Sequence, residues 1–166
     1  MVGVHGQGAG PRWLDPVELE AWIQVAVMMA NLPPALDAQL QRDSGLSHFE
    51  YEVLSVLSDS RGMRLRMSEL AALAGGSVSR LSHVVTRLER RGLVERYPCP
   101  DDARSILALL TGDGHRAVVQ AAPGYVENVR RLVIDRLGRE QIEKLAEIGA
   151  AINDEVPRIA RDNAQR

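Results

Sequence analysis

A chain of 166 residues is long enough for one domain with helical extensions and too short for two full cores. Apolar residues make up 45% and aromatics 4%, which excludes wholesale disorder and points to an aliphatic core of packed helices rather than a β-sandwich. The lone cysteine, Cys99, excludes an internal disulfide, no apolar run is long enough to span a membrane, and a net charge of −2 gives no overall attraction to nucleic acid.

The Gly-rich start, Met1 to Pro11, lacks a basic residue followed by an apolar stretch and reads as a flexible tail rather than a signal peptide. Asp15 caps a helix with Pro16 at its first position, and Leu19, Trp22, Ile23, Ala26 and Met29 recur at helical spacing. Asn31-Leu-Pro-Pro predicts a break or kink, with the helix resuming to about Arg42 and ending at Gly45. Ser47 and Glu50 form a capping box for a helix carrying Phe49, Val53, Leu54 and Leu57. Asp59 to Gly62 is a turn, and Leu65 to Met67 a short extended piece. Ser68 is the expected cap of a brief helix, Glu69 to Ala74, stopped by Gly75-Gly76. Ser77 caps the next helix, which runs to Arg91 and ends at Gly92, a natural left-handed residue. Leu93 to Tyr97 and Ser105 to Leu110 read as strands around a hairpin tip from Pro98 to Ala103. Thr111 caps a helix to about Leu137, irregular at Pro123-Gly124. After Gly138 a last helix runs from Arg139 to about Ile159, with a kink expected at Pro157. The order of elements is that of a winged helix-turn-helix in a mainly α protein, with a two-stranded wing.

Charge is unevenly placed. From Asp15 to Asp59 the only basic side chain is Arg42, whereas eight arginines between Arg61 and Arg96 face only Glu69, Glu89 and Glu95. Arginine is the side chain best suited to bidentate contacts with phosphate and guanine. On the helix after Ser77, Val78, Leu81, Val84, Val85 and Leu88 fall on one stripe, expected to be buried. The opposite face carries Ser79, Ser82, His83 and Thr86, with Arg80, Arg87 and Arg90 beside them. Short hydroxyls permit close approach to base edges, and the arginines reach guanine or flanking phosphates. A solvated amphipathic helix is the plain alternative. The glycine turn before it and the hairpin after it favour the nucleic-acid reading.

Arg66 to Ala74 followed by Ser77 to Arg96 resembles the MarR family of regulators, as do Asp102-Ala-Arg104 and the later Leu110-Thr111 with Gly114. The resemblance spans Trp22 to Ile159. It implies a homodimer whose terminal helices interlock and whose two winged lobes sit on successive major grooves of a palindromic operator. The helix from Ser77 would enter the major groove, Arg104 on the wing would reach a minor groove or phosphate, and Asp102 would brace that arginine by a charge-assisted pair. Arg96 is the other wing-supporting residue. The segments follow: tail 1–12, dimerisation helices 13–45, winged lobe 46–112 and dimerisation helices 113–166. Gly75-Gly76 departs from the family's usual single glycine and is expected to loosen the recognition helix. Repression is the family's default, in the cytoplasm, with release by a small aromatic or phenolic effector. Trp22, Met29, His48 and Tyr51 are candidates for that effector's cleft, the alternative for Trp22 and the methionines being plain core packing.

Other functions find less support. Cys99 suggests a redox sensor, but Pro98, Pro100, Asp101 and Asp102 around it disfavour the thiolate. His5, His48, His83 and His115 show no metal-ligand spacing, so neither metal nor cofactor is expected. No nucleophile with its base and no paired carboxylates stand out, and Gly75-Gly76-Ser77 lacks the lysine of a phosphate loop. A helical interaction module remains as an alternative, but it would leave the wing and its arginines without a role. The dimer has independent support from apolar stripes on the last two helices: Val119, Val126, Val129 and Val133 on one, and Ile142, Leu145, Ile148, Ile152, Val156 and Ile159 on the other.

Overall fold

The computed structural model describes residues 11–100 and 102–164, apart from the side chains of Ala103 and 155–164. Most of the expected tail, Asp101 at the hairpin tip, and Val156 and Ile159 on the last stripe lie outside what is described. The chain divides into two compact units, Met1–Ala35 and Leu36–Arg166.

Local capping chemistry sets most helix starts. Asp15 Oδ1 accepts the backbone N–H groups of Val17 and Glu18 at 2.7 and 2.9 Å, opening α1 (Pro16–Ser44). The helix then runs through Pro33 and Pro34, where an interruption was expected. Each proline removes one donor, and the carbonyls left over belong to Met29 and Ala30, both exposed residues. Ser47 and Glu50 make both hydrogen bonds of the capping box at the start of α2 (His48–Asp59), and Asp37 of α1 accepts the His48 N–H at 2.8 Å. A 3₁₀ turn (Arg61–Met63) leads into β1 (Arg64–Arg66).

The next helix, α3 (Met67–Leu73), begins before Ser68, so that serine is not its cap. The Arg66 N–H donates instead to the Glu69 carboxylate at 3.3 Å. Ser77 does cap α4 (Val78–Arg90), its hydroxyl accepting the Arg80 N–H at 3.2 Å. The far end of α4 is a Schellman motif. Gly92, at φ 71°, donates to Glu89 O, and Leu93 donates to Leu88 O. Strands β2 (Val94–Cys99) and β3 (Asp102–Leu110) run further toward the tip than expected, pairing Cys99 with Asp102 after an irregularity at Pro98. β1 joins the other edge of β3, so the two-stranded wing belongs to a three-stranded antiparallel sheet, β1-β3-β2.

Thr111 caps α5 (Gly112–Leu132), its hydroxyl accepting from Gly114 at 3.0 Å. This helix stays regular through Pro123, stops at Leu132, short of Leu137, and continues as a 3₁₀ turn (Ile134–Arg136). α6 (Arg139–Ala164) likewise runs through Pro157 without interruption. The core joins α2, α3, α4 and the sheet through fully buried Leu54, Leu57, Leu70, Leu81, Leu88 and Val94. Burying each such side chain contributes roughly 1.5–3 kcal/mol before entropy is counted, so α4 is held by its aliphatic stripe.

Candidate nucleic-acid interface

Three attachments orient α4. Its stripe of Leu81, Val84, Val85 and Leu88 is buried as expected. The second attachment is Glu50, which is only 5% exposed. Its Oε1 accepts from Arg87 Nε at 3.1 Å, its Oε2 accepts from the Ser47 N–H at 2.9 Å, and Arg91 Nη1 lies 3.7 Å from Oε2. A buried carboxylate is costly unless it is paired and hydrogen-bonded, and these donors supply that pairing. Arg91 also donates to Gly45 O at 3.2 Å. The third is Phe49. The Arg80 guanidinium lies 4.0 Å above its ring, and a Cβ on Gly76 would meet the ring at 2.5 Å. Gly76 therefore does not loosen the turn. It makes the space into which Phe49 packs, while Gly75, at φ 66°, makes the bend.

The predicted contact residues fall on one helix as follows. Ser79, Arg80, His83, Arg87 and Arg90 are exposed, and Ser82 and Thr86 half-buried. Among the described residues His83, Ser79 and Arg90 have no side-chain partner. The Ser77 hydroxyl is occupied by the cap, and the Thr86 hydroxyl donates to Ser82 O at 2.9 Å. Arg87, although tied to Glu50, keeps 53% of its side chain exposed. Val78 departs from its expected place in the stripe, because the buried residues of α4 begin only at Leu81, and it is 54% exposed.

The wing is fastened to α4 by Arg96, whose Nε and Nη2 donate to Glu89 Oε2 at 3.1 and 2.6 Å. These hydrogen bonds hold the Glu89 carboxyl below the ordinary range. Asp102 supports Arg104 differently from the expected pairing of charges. Its Oδ1 accepts the Arg104 backbone N–H at 3.0 Å, and its Oδ2 accepts from the Ser105 hydroxyl at 2.6 Å. The Ser105 hydroxyl first, then the Arg104 N–H, lower the Asp102 pKa. The turn is thus fixed through the main chain, and the Arg104 side chain is exposed. Between α4 and the wing lies a groove of about 420 Å³, lined by Arg66, Val78, Ser82, Arg104, Ser105 and Ile106 among others. Arg66 was not among the expected contacts. Its place on β1, beside the wing, depends on strand pairing across more than forty residues.

Cys99 is buried, and the Arg66 guanidinium reaches it, with Nη2 4.0 Å from Sγ. No group of three or more metal-ligating side chains occurs among the described residues, and none of their helices is long and apolar enough to cross a membrane.

The candidates for an effector cleft belong to different units. Trp22 and Met29 belong to the first unit and are exposed there. In the second unit, His48 stacks on Tyr125 with centroids 5.8 Å apart, and Tyr51 tilts against the same ring at 4.6 Å. Burial first, then the negative charge of Glu52, raises the Tyr125 pKa, so the phenol stays protonated. Tyr51, Glu52, Ser55, Val56 and Tyr125 border a cleft of about 330 Å³. Sequence reading missed Tyr125, Glu50 and Phe49 as members of these sites.

Comparison with known proteins places the arrangement. The profile described as "MarR family" matches residues 46–106. Sco3205 of Streptomyces coelicolor, a MarR family transcriptional regulator solved in complex with DNA, is 42% identical. The match covers 90% of this chain and 93% of that one, with a TM-score of 0.85. AbsC, a MarR family transcriptional regulator from the same organism, is 38% identical over 89% of this chain and 99% of its own, with a TM-score of 0.83. The HTH-type transcriptional repressor YetL of Bacillus subtilis (strain 168) is 29% identical over 85 residues, and the match spans about half of either chain, 51%. This chain belongs to the MarR family of transcriptional regulators.

Proposed function

We propose that the chain represses transcription in the cytoplasm by binding a palindromic operator as a homodimer, and carries out no chemistry of its own. The observation that carries this reading is the open face of α4, which holds Ser79, Arg80, Ser82, His83, Arg87 and Arg90 beside a wing bearing Arg104. Its backbone is held rigid by Glu50 and Phe49, and a preorganised helix loses little freedom on docking. The N-terminal half of α4 reads base edges in the major groove, while Arg104 and Arg90 reach phosphates or the minor groove.

The segments divide the work. Residues 46–112 bind DNA, and residues 13–45 and 113–166 assemble the dimer. The support for assembly is apolar surface: Val17, Trp22, Val27 and Met28 on the first unit, and, in the second, Val126 of α5 with Ile148 and Ile152 of α6, are all exposed large side chains. A two-fold dimer sets its recognition helices about 34 Å apart, one turn of duplex, and its operator is a palindrome of that spacing. The tyrosine-lined cleft at Tyr51 and Tyr125 is the proposed seat of a small aromatic or phenolic effector that releases the repressor.

The test is a gel shift with duplexes from the region upstream of the chain's own gene. One fragment should be retarded with a Kd on the order of 10⁻⁸ M or tighter, and competitor DNA of unrelated sequence should not displace it. Equal, weak and salt-sensitive retardation of every fragment would leave no sequence-specific regulator to propose.

A further inference from the structure

Helical periodicity assigns Val78 to the same stripe as Leu81 and Val85, yet those two are wholly buried while Val78 is 54% exposed. The reason is positional. Val78 is the first residue of α4, directly after the Ser77 cap, and the buried residues of the helix begin only at Leu81. Its methyl groups sit at the wall of the groove between α4 and the wing, with Ser82 one turn further along the helix. Ile106, 40% exposed, lines the same groove from β3. Two apolar side chains from separate elements thus share a groove whose other contributors include Arg66, Arg96 and Arg104. The arginines suit a phosphate backbone, and phosphate contacts carry no sequence information.

An apolar side chain at the start of a recognition helix has one apolar feature to meet on the edge of a base pair in the major groove, the C5-methyl group of thymine. Valine suits such a contact, because branching at Cβ restricts χ1 and presents its methyl groups with little entropy left to lose. We infer that Val78 is a specificity-determining residue of this interface and reads the C5-methyl group of a thymine. The inference rests on the DNA-binding reading above and adds a base preference to it. In unmodified DNA only thymine carries this methyl, so the partner is defined by its chemistry.

The experiment uses the full chain and an unmethylated random-sequence duplex library. The enriched duplex is remade with each thymine in turn replaced by deoxyuridine, which removes the methyl and keeps every hydrogen-bonding group. For the unsubstituted protein, replacement at one thymine per recognised half should weaken binding about fourfold, the worth of one buried methyl. Val78→Ala should bind the unmodified duplex about fourfold more weakly, be indifferent to that same replacement, and keep the original salt dependence, since no phosphate contact is lost. Its circular dichroism should be unchanged, because the side chain is outside the core. If no deoxyuridine replacement affects the unsubstituted protein, or if the replacements affect both proteins equally, Val78 does not read the methyl. If no sequence is enriched at all, it is the DNA-binding reading that fails, and the inference falls with it.

Discussion

α4 and α6 are both amphipathic, but their apolar sides have opposite fates. In α4 the aliphatic stripe is buried within the chain, against α2, α3 and the sheet, and the polar face is open. In α6, Leu145, Ile148 and Ile152 are exposed, although they repeat at helical spacing as regularly as Leu81, Val85 and Leu88 do. The contrast shows that an amphipathic pattern announces that a face will be covered, not by what. In α4 the cover is the same chain, and the face left over is the one proposed to meet DNA. In α6 the apolar face itself is left open, and assembly is the use proposed for it.

The most severe way to break this comparison is to charge the open apolar face. Ile148→Glu with Ile152→Glu should give a monomer in sedimentation. Its affinity for a full palindrome should fall by roughly 10² or more, because the second half-site is no longer held at high effective concentration. Circular dichroism should show the helices retained. A folded monomer that still bound the full site tightly would dissolve the distinction between the two helices.

The attachment of α4 to the core is tested by Arg87→Ala, which leaves the buried Glu50 without its closest guanidinium. The expected loss is about 1–3 kcal/mol of stability in denaturant melts. Glu50→Gln in the same background should restore part of it, which separates an uncompensated charge from a lost contact. The open side is tested by Arg104→Ala, which should weaken operator binding by about 1 kcal/mol and shallow its salt dependence while leaving the melt unchanged.

A smaller effect is expected at the tie between α4 and the wing. Because the folded state lowers the Glu89 pKa, the Glu89–Arg96 pair stabilises the protein at neutral pH. That contribution is lost as the pH falls through the ordinary carboxylate range and below it. Glu89→Gln should therefore be less stable than the parent near neutrality, and the two melts should converge in acid. The smallest effect is at the buried sulfur, where Cys99→Ser should leave operator binding and its response to mild peroxide unaltered. Oxidative loss of DNA in the parent but not in the serine variant would restore a redox role.

What could be read from the sequence was what neighbouring residues decide among themselves. Asp15, Ser47 with Glu50, Ser77, Gly92 and Thr111 act within one helical turn, so five helix boundaries were legible, as was the polar face of α4. Pro33 and Pro34 do not break their helix, and Pro123 and Pro157 likewise lie within continuous helices, because a proline forfeits one donor without forcing an end where the surrounding helix is otherwise favourable. Glu50 was legible only as a cap. Its second role, accepting from Arg87 thirty-seven residues away, depends on how two helices pack. Val78 followed the right period, but periodicity carries no information about where the core under a helix stops. Gly76 looked like slack until Phe49 was seen to occupy the space beside it.

The base of the wing has a further consequence. Thr111 Oγ1 donates to Gly92 O at 2.7 Å, and the Thr111 N–H donates to Leu93 O at 3.1 Å, so the hairpin leaves and rejoins the fold at a single clasp. A Cβ on Gly114 would strike Leu93 O at 2.1 Å, so no other residue would let α5 close on that point. Topologically the wing is a side branch: residues can be added or removed at its tip without altering the distance between the end of α4 and the start of α5. The length of the wing can therefore vary independently, while the junction between α4 and α5 stays constant.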